Sequence, residues 1–180
     1  IGQGVVADGG GFPSLLRHFF FFFRCGPAFH LAVLCEPARP VPLGGFGAVK
    51  IGLMNPDRYC KIASLSGCMD MAGFINAFEN GSIFTIHTSV SDWPDMKDGD
   101  NDMLALLDKA AARKTAGKYV PPMYHTIGKQ DFIYAFSQEW RKKAQSLGLD
   151  FTYTEGDGVH DFSYWNGRII NEIMPFFFGK

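Results

Sequence analysis

From residue 43 onward, apolar positions switch between helical spacing and short continuous runs, the pattern of amphipathic helices interleaved with buried strands. Residues 44–54 form the first helix candidate, which Asn55-Pro56 must stop because a residue before proline is pushed out of helical geometry. Residues 60–65 (CKIASL) then read as a buried strand. The stretch 80–99 is irregular and rich in Ser, Asp, Gly and Pro, as a lid or insertion would be. Behind it, Asn101 or Asp102 is placed to cap a helix carrying Leu104, Leu107 and Ala111 on one face. Residues 119–127 contain the next strand, preceded by the Pro121-Pro122 break and ending at Gly128. It is followed by an amphipathic helix over 134–147, with Phe136, Trp140, Ala144 and Leu147 inward and Arg141, Lys142 and Lys143 mostly toward solvent. Gly148 stops that helix, residues 151–154 alternate as a last short strand, and a terminal helix runs through Phe162, Trp165, Ile169 and Ile173.

Strands separated by single helices predict an α/β class protein, with a three-layer architecture and a mostly parallel sheet, in one domain over residues 1–180. Residues 11–42 break the pattern. The run Phe19 to Phe23 has no amphipathic period, Cys25-Gly26-Pro27 interrupts any helix, and three prolines fall between Glu36 and Pro42. No element is assigned to this segment.

Composition narrows the class. With 47% hydrophobic residues among 180, one sizeable core can form. A formal charge of -1 supplies no basic field for nucleic acid. The most apolar stretch, residues 15–35, is broken by Arg17, His18, Arg24 and Pro27 and falls short of the roughly 18 residues of a membrane span. Cys25, Cys35, Cys60 and Cys68 have neither zinc-ribbon spacing nor the density of a disulfide scaffold, so buried thiols are expected and no metal or other cofactor. A cytoplasmic location is the default. The first residue is Ile1 rather than methionine, and no signal pattern opens the chain, so a fragment is expected.

Candidate chemistry lies in four short motifs. Leu43-Gly44-Gly45-Phe46-Gly47-Ala48 precedes the first helix, Ser64-Leu65-Ser66-Gly67 follows a strand, Gly128-Lys129-Gln130-Asp131-Phe132-Ile133-Tyr134 follows the next, and Gly158-Val159-His160-Asp161-Phe162-Ser163-Tyr164-Trp165 follows the last. Taken singly, an aspartate past a strand is most often a turn residue and a loop histidine is most often solvated. In this order and spacing the four motifs resemble the esterase D, tributyrin esterase and S-formylglutathione hydrolase group of the α/β-hydrolases. The resemblance covers roughly residues 43–180, with a fainter likeness at Val5-Val6-Ala7-Asp8-Gly9-Gly10. It implies a three-layer α/β-hydrolase fold, N-terminally incomplete, and acyl transfer through a serine.

Carried across by position, Asp131 is the triad acid and His160 the base, in the chain order that α/β-hydrolases use. Asp161 is the competing carboxylate and a better candidate for capping the terminal helix. The nucleophile position falls on Pro42, where the family has serine. Proline has no hydroxyl, and its fixed φ near -65° opposes the strained turn of a nucleophile elbow. The backbone N–H of Leu43 would supply one oxyanion donor, while the His-Gly-type motif that supplies the second does not occur in these residues. Ser64 and Ser66 follow a different strand and are poor replacements. Met69, Met71, Phe74 and Phe78 could line an acyl pocket, although plain core is the better reading, and His18, His30, His87 and His125 are read as structural.

The resemblance thus implies a carboxylic ester hydrolase acting on small acyl esters or thioesters, with no nucleic-acid or membrane partner, and inactive with Pro42 in place. The alternatives are a non-catalytic α/β-hydrolase-like binding protein and a truncated or frameshifted product. A shifted frame across Arg39-Pro40-Val41 can encode Gly-Leu-Ser, which sequencing of the source DNA tests. A partial sheet would leave an exposed edge, so association with a second copy is expected.

Overall fold

The structure is a computed structural model that describes residues 20–25, 28–33, 43–79 and 98–179. Five strands form one sheet in the order β1 (Phe20–Cys25), β2 (Ala28–Val33), β3 (Tyr59–Leu65), β4 (Met123–Gly128) and β5 (Phe151–Gly156). β1 and β2 pair antiparallel, and every later pair is parallel. The first two strands occupy the segment in which sequence pattern assigned nothing. β1 pairs with the adjacent β2, while β2 joins the rest of the sheet through partners some thirty residues away, such as Ala63 opposite Ala32.

Parallel neighbours require crossovers, and helices supply them. α1 (Leu43–Met54) joins β2 to β3, α2 (Met71–Glu79) and α3 (Met103–Thr115) join β3 to β4, and α4 (Ala135–Ser146) joins β4 to β5. After β5 come α5 (Phe162–Arg168), a π-helical turn over Ile169–Ile173, and α6 (Met174–Phe178). The expected terminal helix is thus continuous over residues 162–178, with one π-helical turn inside it.

Side-chain alternation along the strands separates two cores, one on each face of the sheet. Ile62, Met123 and Ile127 face one side and pack with Phe46, Val49, Phe74, Leu107 and Trp140 of the crossover helices. Ala63, Leu65 and Tyr124 face the other and pack with Tyr164, Trp165, Ile173 and Phe177 of the terminal helices. The result is three layers. Polar contacts fasten the terminal layer: Lys61 Nζ donates to the Phe176 carbonyl (2.5 Å), and Glu172 accepts from Tyr124 Oη (2.7 Å) and Thr154 Oγ1 (2.6 Å) while pairing with Arg168. Burial raises the Glu172 carboxyl, but those hydroxyls and the guanidinium outweigh it and hold the group below its usual range.

α1 lies against β3 because its contact residues are small. A Cβ added to Gly45 would sit 2.6 Å from Gly67 Cα and 2.6 Å from Ser64 Oγ, so only glycine allows this approach. α3 begins at Asp102, whose side chain accepts from the backbone N–H groups of Leu104 (2.8 Å), Ala105 (3.0 Å) and Asp98 (2.9 Å). Its buried face is Met103, Leu106, Leu107 and Ala110, one position earlier than the face expected from Leu104, Leu107 and Ala111. Removing the cap by Asp102→Ala is expected to cost about 1 kcal/mol, read as a lower urea midpoint at unchanged m-value.

Candidate active site

The ends of the parallel strands bring the motifs together. β4 and β5 finish level, with Gly128 opposite Gly156. The loops beyond stay joined, as Lys129 N donates to Gly156 O (2.8 Å), Gln130 N to Gly158 O (3.1 Å) and Gly158 N to Gln130 Oε1 (2.7 Å). A Cβ on Gly128 would run into the Gly158 carbonyl, so glycine is required there for the two loops to approach. This close seam sets Asp131 and His160 facing each other across the strand ends.

The Nδ1–H of His160 donates to Asp131, with Oδ2 at 2.9 Å and Oδ1 at 3.1 Å, and both side chains are almost wholly shielded from solvent. Asp131 is held from behind: its Oδ1 accepts from Ile133 N (3.0 Å), its own N–H donates to Gly128 O (3.1 Å), and its carbonyl accepts from Tyr134 N (2.9 Å). A carboxylate that accepts at Nδ1 selects the tautomer with the proton on that nitrogen, which makes Nε2 the basic one. Asp161 points the other way. Its Oδ1 accepts from Ser163 N (2.9 Å) and Tyr164 N (3.4 Å) at the start of α5, and the Ser163 hydroxyl, then these amides, hold its carboxyl below the usual range.

Aromatic rings flank the imidazole on two sides. Phe132 lies 4.9 Å away between centroids, tilted, and Trp165 lies 4.9 Å away in a T-shaped contact. Trp165 is fully buried and its Nε1–H donates to Ser66 Oγ (3.0 Å), while Phe132 is 41% exposed. Ser66 itself, just past β3, has φ of 48° and is fully buried. A non-glycine residue in that region carries on the order of 1–3 kcal/mol of strain. Its N–H donates to Thr126 O (2.8 Å), joining the ends of β3 and β4. Sequence reasoning weighed Ser66 only as a nucleophile; its positive φ and its indole partner had no local signal.

Pro42 lies outside the described residues, as do His18 and His87. Leu43 opens α1, and two residues on, Gly45 touches Gly67, so the start of that helix adjoins the end of β3. Met69, Met71 and Phe74 are buried in the core on the crossover-helix side, and the Phe78 side chain lies outside the described residues. Phe74 does connect to the site indirectly, with its ring 6.3 Å from that of Phe132. His125, on β4, is fully buried between the rings of Trp140 (5.8 Å) and Tyr153 (5.9 Å), away from His160. Among the described residues no helix is long and apolar enough to cross a membrane.

The chain is similar to several known proteins. An acetyl esterase of Caldicellulosiruptor saccharolyticus is 27% identical over 134 residues, covering 72% of this chain and 49% of that protein. Among solved structures, the S-formylglutathione hydrolase FrmB of Staphylococcus aureus superposes with a TM-score of 0.59 at 24% identity, over 73% of this chain and 50% of that one. The chain has the α/β-hydrolase fold, and the proteins it resembles are an acetyl esterase and serine hydrolases. FphF, a fluorophosphonate-binding serine hydrolase of the same organism, matches with a TM-score of 0.59 at 26% identity over the same shares, and a ferulic acid esterase gives 0.54 at 19%. No family profile matches the chain. The chain spans about half the length of the relatives it matches.

Proposed function

We propose that this chain carries the acid and base of a serine-type carboxylic ester hydrolase, with Asp131 as the orienting carboxylate, His160 as the general base, and position 42 as the place of the nucleophile. The observation that supports it best is the shielded Nδ1–H···carboxylate contact, standing at the level ends of two adjacent parallel strands. Open α/β sheets place their chemistry at this end of the strands. In the proposed reaction a serine hydroxyl attacks the acyl carbon as Nε2 of His160 takes its proton. The imidazolium, stabilised by Asp131, then protonates the departing alcohol or thiol, and water repeats the cycle on the acyl-enzyme. The backbone N–H of Leu43 is proposed as one oxyanion donor. The substrates are small acyl esters or thioesters, in keeping with the acetyl esterase and S-formylglutathione hydrolase it resembles.

Pro42 cannot perform the attack, so the chain with proline is proposed to be inactive on esters. Hydrolysis of p-nitrophenyl acetate by the purified chain and by a Pro42→Ser variant tests both halves of this reading. Turnover is expected only with serine. Turnover by the proline chain would place the nucleophile elsewhere, and a silent serine variant that retains the fold by circular dichroism would mean that Asp131, His160 and a serine at 42 do not by themselves complete the site, the second oxyanion donor being the group still to supply.

A further inference from the structure

We propose that Ser66 is a positioning residue for His160, acting through the indole of Trp165. The inference deepens the reading of His160 as a base, but its test uses no turnover and so fails or succeeds separately.

Asp131 alone does not fix the whole imidazole. Its two contacts with Nδ1 fix the direction of that ring nitrogen, yet the imidazole plane can still rotate about the Nδ1···carboxylate line. That rotation sweeps Nε2 through an arc. The aromatic flanks limit it, and of the two, Phe132 is 41% exposed whereas Trp165 is fully buried. Trp165 is therefore the firmer stop, provided its own ring cannot turn. An indole has one hydrogen-bond donor, and in a fully buried site turning the ring away leaves that donor unsatisfied. The partner that prevents this is Ser66 Oγ at 3.0 Å.

Ser66 is itself immobilised by three independent features. It is fully buried, it holds a φ of 48°, and its N–H donates to Thr126 O at 2.8 Å. Thr126 in turn contacts the helix that carries the indole, since its Oγ1 lies 2.9 Å from Tyr164 Oη. The path runs from the sheet end through Ser66 and Trp165 to the imidazole, and each link is a direct contact rather than a long-range correlation.

The test follows His160 by NMR in the full 180-residue chain labelled in histidine, with His160→Gln assigning its signals. Ser66→Ala removes the acceptor; Trp165→Phe keeps an aromatic ring but removes the donor. Each is expected to move the His160 ring nitrogen shifts and to change its proton affinity by about threefold, half a pKa unit. In the double variant, Ser66→Ala is expected to add nothing to Trp165→Phe, because the link is already cut. Should Ser66→Ala not fold, Ser66→Gly serves instead, since glycine accepts the positive φ and also lacks the hydroxyl. A His160 titration unchanged in the Ser66 variant, or an effect of Ser66 that persists in full beside Trp165→Phe, overturns the proposal. A purely structural serine would lower the unfolding midpoint and leave the imidazole titration in place.

Discussion

In a Pro42→Ser chain that hydrolyses p-nitrophenyl acetate, His160→Ala is expected to lower kcat on the order of 10²–10⁴-fold with little change in KM. The imidazole acts on a proton that moves only as the acyl bond forms, so its loss is felt in the transition state and not in substrate binding. Asp131→Asn is expected to lower kcat as well, through a different route. The asparagine amide can present an N–H to Nδ1, which favours the tautomer with its proton on Nε2 and leaves no base facing the serine. The two losses should not add, because both remove the same function. A His160→Ala chain with kcat within a few-fold of its parent would show that the proton goes elsewhere, and Asp131 would then be only a turn residue bound to a histidine.

The second large effect concerns stability and does not depend on catalysis. Burial pushes the His125 imidazole down to about 4, and the charge on Asp131 and the Ser64 backbone oppose this only in part. In the unfolded chain the same group titrates near 6.5. Above that value it is neutral in both states and its burial is uncontested. As pH falls below 6.5 the unfolded chain binds a proton that the folded one refuses, so stability declines until about 4, where the folded state begins to protonate too. The loss attributable to His125 across this window is on the order of 3 kcal/mol. Urea unfolding at several pH values should show it, and His125→Phe, which keeps a ring between Trp140 and Tyr153, should flatten the dependence. An equally steep fall in the phenylalanine variant would mean that other groups set the acid limit.

The same contrast between local and distant causes explains what the sequence could reveal. Helix α4 was legible because Trp140 and Ala144 recur at helical spacing against a charged opposite face, and both are buried. The phase of α3 was not, because Met103 to Ala112 is apolar around most of its circumference. Spacing then permits several faces, and packing against the sheet selects Met103, Leu106, Leu107 and Ala110. The strand preceding Asp131 begins at Met123, where the Pro121-Pro122 break places it, since neither proline has an N–H to give to a ladder. It ends at Gly128 because its partner β5 ends level with it, at Gly156.

For the candidate site, the motifs alone singled out Asp131, His160 and Asp161, and sequence order alone suggested which carboxylate served which purpose. An aspartate beside the start of a helix caps it by local geometry, so the role of Asp161 could be read within four residues. The contact between Asp131 and His160 spans 29 positions and exists only because two parallel strands finish together. The link from Ser66 to Trp165 spans 99 positions and crosses from one strand end to a helix on the far face of the sheet. By itself the sequence determined the alternation of helices and strands, the caps and the residue types able to do acyl-transfer chemistry, all of which depend on neighbours a few positions away. The burial of His125, the strained φ of Ser66 and the aromatic flanks of His160 were decided by tertiary structure, because each depends on which distant surfaces the assembled sheet and its helices bring into contact.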